Sequence, residues 1–319
     1  MKILVTTNVP AELLEKYKEF EITIPEKRLV YDEVSEIAGE YDAIMGFGLR
    51  VNEALLEKGK NLKAVANFGV GYDNIDVKAA TARGIAVVNT PTQVTDATAE
   101  YTIALIVATM RNIAKFDREV RQDIWRPPFM MNGMASVNGS TLGIVGFGRI
   151  GKAVCRKAQG LGMNVIYYDP YRSSDEVEKE YGVTYVEFEE LVRTADCVTL
   201  HLPYTPENHH LFGEETFKRM KPDAFFVNCA RGPIVDEAAL AAALRDNVIR
   251  GAGLDVYEHE PKVSEELKVL DNVTLTPHAA SATKKARIGM LHEAMDGLTG
   301  VLKGIDVPNV VNRKELAEQ

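Results

Sequence analysis

Short apolar runs alternate with amphipathic stretches along the first third of the chain. Residues 3–6, 21–24, 43–45, 63–66 and 86–88 have strand composition, whereas 11–17 and 53–58 carry helical spacing. This alternation predicts a parallel sheet covered by helices. Residues 95–115 predict one long helix, with Thr95 and Asp96 available as caps. The alternation then resumes: strands at 141–145, 164–168, 197–200, 224–228, 249–254 and 273–276, a helix over 152–161, and a last long helix over 281–301 before a charged tail. The pattern is that of an α/β protein, and 319 residues suggest about two domains.

One turn stands out within this pattern. The apolar run 141–145 leads into Gly146-Phe147-Gly148-Arg149-Ile150-Gly151, and a helix follows. Gly146 allows a tight turn, Gly148 allows backbone to approach a pyrophosphate, and Gly151 allows the helix to pack on the strand. The helix N-terminus presents N–H groups and positive dipole to an anion. A second apolar run ends in Asp169, where a ribose-hydroxyl acceptor is expected. Strand, glycines, helix, strand and acid together predict a dinucleotide site. The first unit has no such glycine turn.

Bulk properties narrow the function further. The net charge of −9 argues against nucleic acid as the main ligand. Cys155, Cys197 and Cys229 are scattered in or beside apolar segments, as buried free thiols are. Residues 1–5 enter a strand at once, and no apolar run reaches membrane-spanning length, so a cytoplasmic protein without membrane contact is expected. No His-x-x-x-His or carboxylate-bracketed histidine pair occurs, and no metal site is expected.

Several polar residues fall at the carboxyl ends of strands, where open α/β sheets bind ligands: Arg231, Asp255 and His278. Arg231, between Ala230 and Gly232, is either a carboxylate-binding cation or a surface arginine. His278, between Pro277 and a run of small residues, is either a proton donor or a capping or core histidine. Glu260 either pairs with His278 and fixes its tautomer or belongs to a charged loop with Glu258 and His259. The stretch Gly69-Val70-Gly71, after the fourth strand, is either a nest for a carboxylate or a turn before a helix starting near Asp76. The loop 123–133, rich in Pro, Gly and Met and holding the only Trp, Trp125, lies over a pocket or in a subunit interface.

These segments together resemble the D-isomer-specific 2-hydroxyacid dehydrogenases. The resemblance rests on Gly69–Asp76, the glycine turn, Asn228–Gly232, Gly253–Pro261 and Pro277-His278, and it spans essentially the whole chain. It implies two related parallel-sheet domains: a Rossmann NAD-binding domain over 98–280, inserted into a flavodoxin-like substrate domain over 1–97 and 281–319. It also implies that Arg231, Glu260 and His278 are the catalytic triad and that Val70 and Gly71 grip the substrate, with Leu49 near the pocket. The cofactor contacts implied are Thr98, Gly146, Gly148, Arg149, Ile150, Gly151, Asp169, Leu202, Pro203, Thr205, Cys229, Ala230, Asp255, His278 and Ala280. Asp169 repels a 2′-phosphate, so NAD(H) is favoured over NADP(H), although nearby Arg172 leaves some NADP use open. The motif around Asn67 looks most like glyoxylate and hydroxypyruvate reductases, which reduce a small 2-oxo acid to the D-2-hydroxy acid. The alternatives are a D-lactate or D-2-hydroxyisocaproate dehydrogenase, or a NAD-sensing binding protein like the C-terminal-binding-protein corepressors. A homodimer through the NAD-binding domains is implied.

Overall fold

The computed structural model describes residues 1–125 and 134–318. The chain divides into two units, Met1–Val94 with Ala282–Gln319, and Thr95–Ser281.

The first unit is built on β1 (Lys2–Val5), β2 (Glu21–Thr23), β3 (Ala43–Gly46), β4 (Ala64–Asn67) and β5 (Ala86–Val88). They form one parallel sheet in the order β2-β1-β3-β4-β5, the flavodoxin-like arrangement. Alternate strand residues serve opposite faces. Ile3, Val5, Met45, Ala66 and Val88 pack with Leu291, Met295 and Leu298 of the helix Lys284–Leu302. Leu4, Ile44, Val65 and Val87 meet Val34, Leu55 and Leu56 on the other side. The C-terminal segment also covers the edge of β5. Val311 N donates to Val87 O, and buried Asn312 accepts from Val87 N at 2.9 Å while donating to Ile85 O and Thr81 Oγ1.

The second unit holds β6 (Thr141–Val145), β7 (Asn164–Tyr168), β8 (Thr184–Tyr185), β9 (Cys197–Leu200), β10 (Phe225–Asn228), β11 (Gly251–Leu254) and β12 (Val273–Leu275). Every pairing is parallel, in the order β12-β11-β10-β9-β6-β7-β8. The strand order reverses between β6 and β9, the crevice where such sheets bind dinucleotides. One face packs around Phe212, Phe217, Phe226 and Leu240, the other around Leu142, Ile144, Ile106 and Tyr167.

Three elements differ from the sequence pattern. The long helix expected over 95–115 is two helices, Thr95–Met110 and Ile113–Val120. Asn112, at φ 52°, turns the chain between them, a conformation that Asn tolerates better than most residues. The segment Ala11–Tyr17 is a 3-10 helix, because a three-residue repeat places Leu14 and Tyr17 together in the core. The last helix starts at Lys284, where the Thr283 side chain accepts from Ala286 N. Residues 126–133, most of the loop that carries Trp125, lie outside the described residues; Trp125 itself is exposed.

Asn312→Ala strips Val87 N and Ile85 O of their partners. The substitution is expected to destabilise the first unit by about 2 kcal/mol or more, the cost of leaving buried polar groups unpaired. Hydrogen exchange checks this: protection of the Val87 amide falls in the variant, and unchanged protection contradicts the role assigned to Asn312.

Candidate active site

The glycine turn sits at the end of β6, in the strand-order crevice. Gly146 adopts φ +98°, and a Cβ there would stand 2.6 Å from the carbonyl carbon of His201, at the end of β9. Phe147 is buried and stacks on Tyr167 with centroids 4.2 Å apart, which anchors the turn in the core. Gly148 begins the helix Arg149–Gly160 without a side-chain cap, and a Cβ on it would meet only open space. The helix therefore keeps N–H groups for an external anion.

Asp169 follows β7. Its carboxylate accepts from Phe147 N at 2.7 Å and from Tyr171 N at 2.8 Å, so it is fixed beside the turn with lone pairs left for ribose hydroxyls. Arg172 is engaged elsewhere, with Nε and Nη2 on the two oxygens of Glu178 at 2.8 and 3.0 Å. These residues fit a dinucleotide: open backbone N–H groups for a pyrophosphate and a fixed acid for a ribose. The pairing of Arg172 with Glu178 takes that cation away from a 2′-phosphate.

The loop from Leu202 to Thr205 leaves the end of β9. Asn208 ties it by accepting from Thr205 N and donating to Pro203 O. Cys229 is buried, and desolvation pushes its thiol up to about 12, so it is not a thiolate. Thr98 is buried on the helix Thr95–Met110.

The segment after β10 presents Arg231. Asn228, nearly inaccessible, accepts from Ala230 N and donates to Arg231 O, both at 2.9 Å, and so folds the turn. The next residue must be glycine, since a Cβ on Gly232 would collide with the backbone of Tyr257 and Glu258. This close approach brings the Arg231 segment against the segment that carries Glu260.

Glu260 accepts from Tyr257 N at 3.1 Å through one oxygen and lies 2.8 Å from His278 Nδ1 through the other. Burial pushes the Glu260 carboxyl up, but its bonds to His278 and Tyr257 N and the nearby charge of Arg231 outweigh this and hold it below the usual range. The bond fixes a proton on His278 Nδ1, leaving Nε2 as the exchangeable position.

His278 is held in an unusual backbone state, φ +53°. Asp255, with no solvent exposure, makes that state stable. Its carboxylate accepts from Ala279 N, Ala280 N and Thr276 Oγ1 at 2.7–2.9 Å, and its carbonyl accepts from His278 N at 2.7 Å. Left-handed backbone costs about 1–2 kcal/mol, whereas each hydrogen bond to a charged acceptor contributes about 1.5–3 kcal/mol. The clamp outweighs the strain. Asp255, matched above to a cofactor contact, thus has its carboxylate already engaged with backbone and Thr276, and Ala280 is buried beside it.

His201 is distinguished from His278 by its surroundings. The residue keeps some exposure, yet its ring is crowded by protein, and desolvation lowers its pKa to about 3. It is neutral at working pH.

In the first unit, the end of β4 supplies Gly69, Val70 and Gly71. Asn67 donates to Gly71 O, and Asn89 donates to Val70 O at 2.8 Å. With these carbonyls tied inward, the N–H groups of Val70 and Gly71 have no hydrogen-bond partner among the described residues. Adjacent N–H groups left open in this way are donors that an anion can take. Leu49 has its side chain 7% exposed, in the core with Val51 and Leu55, and touches the loop through its carbonyl, which accepts from Asn74. Asn67, Asn89 and Asn228 shape these loops without having been singled out for it by the sequence; an Asn closing a buried strand is the signal they share.

Comparison with known proteins places the chain in a family. Residues 103–280 match the family model described as D-isomer specific 2-hydroxyacid dehydrogenase, NAD binding domain. A glyoxylate reductase from Thermococcus litoralis is 43% identical, covering 99% of this chain and 98% of the relative. A crystal structure of a glyoxylate reductase from Paecilomyes thermophila superposes with a TM-score of 0.87 at 31% identity, covering 98% of this chain and 99% of the other. A D-lactate dehydrogenase from Aquifex aeolicus, complexed with NAD and lactic acid, superposes with a TM-score of 0.84 at 29% identity, covering 95% and 96% of the two chains. With a matching NAD-binding domain and relatives alike over nearly its full length, the chain belongs to the D-isomer-specific 2-hydroxyacid dehydrogenases.

Proposed function

We propose that this enzyme reduces a small 2-oxo acid of the glyoxylate and hydroxypyruvate type, with His278 as proton donor, Arg231 as carbonyl and carboxylate ligand, and Glu260 as the group that orients His278. The observation that carries this reading is the 2.8 Å contact of His278 Nδ1 with a Glu260 carboxylate held below its usual pKa. A carboxylate kept ionised accepts from Nδ1 and so orients the ring with Nε2 free for proton transfer. Bound NADH supplies the hydride. Arg231, a permanent cation, binds the substrate carboxylate and polarises the keto oxygen. In the first unit, Val70 and Gly71 offer N–H donors to an anion, and Asn67 and Asn89 occupy the neighbouring carbonyls. Proton transfer from Nε2 neutralises the developing alkoxide.

The substrate class is supported by relatives named glyoxylate reductase. Preference for NADH over NADPH is supported by Asp169 and by the engagement of Arg172 with Glu178. A second copy of the chain is the proposed partner. Ile113, Val120, Ile124 and Trp125 follow one another along the NAD-binding domain and are 44–84% exposed, as interface residues are in an isolated chain. No helix among the described residues is long and apolar enough to cross a membrane.

NADH oxidation with glyoxylate, hydroxypyruvate, pyruvate and 2-oxoisocaproate tests the assignment. Fast turnover is expected with glyoxylate or hydroxypyruvate, and His278→Ala lowers kcat by about 10²–10⁴-fold, the usual contribution of a positioned acid. NADH affinity stays close to wild type. A near-normal kcat in His278→Ala refutes the proton-donor role. Asp169→Ala lowers the ratio of kcat/KM for NADH over NADPH by about tenfold or more, equal to some 1.4 kcal/mol; an unchanged ratio refutes the assignment of Asp169 to the ribose.

A further inference from the structure

Away from Arg231 and His278, the second unit brings together a further group of donor side chains. The rings of His209 and His210 stack with centroids 3.9 Å apart and planes 21° apart. His210 Nε2 lies 2.8 Å from Glu258 Oε1. One donor atom from each of His209, His210 and Glu258 falls within 4.8 Å of the other two. Spacing along the chain gives no sign of this, because Glu258 is 48 residues from His210.

Each ligand stands on a fastened backbone. The two histidines follow a 3-10 turn, Pro206–Asn208, closed by Asn208 accepting from Thr205 N. His210 is left-handed at φ +53°, and its N–H donates to Pro233 O at 3.0 Å. Glu258 N donates to the carboxylate of Glu237, itself buried. A hydrogen-bonded His210–Glu258 pair needs no second imidazole. The exposed His209 stacks on His210 and makes one long polar contact, 3.5 Å between its Nδ1 and the Tyr204 hydroxyl.

We propose that His209, His210 and Glu258 form a binding site for a divalent transition-metal ion, separate from the hydride-transfer centre. Two imidazoles and one carboxylate are a donor set for Zn²⁺, Co²⁺, Ni²⁺ or Cu²⁺ rather than for Ca²⁺ or Mg²⁺, which take oxygen ligands. Tetrahedral bonds of 2.0–2.2 Å set donor atoms about 3.4 Å apart, and because imidazole lone pairs lie in the ring plane, the two rings turn out of their stack to close around an ion. Water completes the coordination on the exposed side. The ion displaces the proton shared by His210 and Glu258 and joins the segment after β9 to the segment that carries Glu260.

Titration of the full-length, tag-free protein with Co²⁺, followed by visible absorption, tests the site. The wild type is expected to bind one Co²⁺ per chain with ligand-field bands that Zn²⁺ abolishes. His209→Ala removes an exposed side chain, so it keeps the metal-free melting temperature while weakening binding by more than the roughly tenfold typical of a lost outer-shell contact. Glu258→Gln weakens it similarly; if that variant fails to fold, His209→Ala alone decides. Absence of saturable binding in the wild type, or wild-type affinity in a folded His209→Ala, overturns the proposal.

Discussion

The candidate site depends on one buried carboxylate. Asp255 has no solvent exposure and accepts from Ala279 N, Ala280 N and Thr276 Oγ1, while its own carbonyl takes His278 N. The left-handed backbone of His278 costs about 1–2 kcal/mol, which these hydrogen bonds offset. Without the carboxylate, the turn that sets the imidazole 2.8 Å from Glu260 loses its bonds to Ala279 N, Ala280 N and Thr276 Oγ1. The Glu260 side is fixed independently, by Tyr257 N on its carboxylate and by Gly232 packing on the Tyr257–Glu258 backbone. The carboxylate and the imidazole are thus separately anchored and meet only through their shared hydrogen bond.

Topology explains why these anchors converge. Arg231 follows β10, Asp255 follows β11 and His278 follows β12, three strands adjacent and in register in one parallel sheet. Parallel pairing places all three carboxyl ends on one edge, and the glycine turn after β6 lies on that same edge. In the other unit, parallel order likewise puts Gly69–Gly71 at the end of β4. Buried asparagines then do in loops what strand partners do inside a sheet: they pair with backbone groups that would otherwise be left open.

Much of this was legible in the sequence, and the parts that were not share a cause. The glycine turn, Asp169, the strand ends and the order of strands and helices are local features, each marked by a period or a spacing. The clamp of Asp255 joins residues more than twenty positions apart, and the bonds of Asn312 span more than two hundred. No local pattern encodes such contacts. The break at Asn112 failed for a different reason, since the apolar pattern continues through it while one left-handed residue ends the helix. The 3-10 form of Ala11–Tyr17 was hidden because periods of 3 and 3.6 are hardly separable over seven residues.

Asp255→Asn tests the central claim most directly, because it keeps the side-chain volume while replacing one acceptor oxygen by a donor and removing the charge. The account predicts that kcat falls at least about a hundredfold, as expected when a catalytic group is misplaced by about 1 Å, with the Kd for NADH little changed. A variant with near-normal kcat would show that His278 holds its position without the clamp. A loss confined to NADH affinity would instead make Asp255 a cofactor ligand and contradict the positioning role assigned to it.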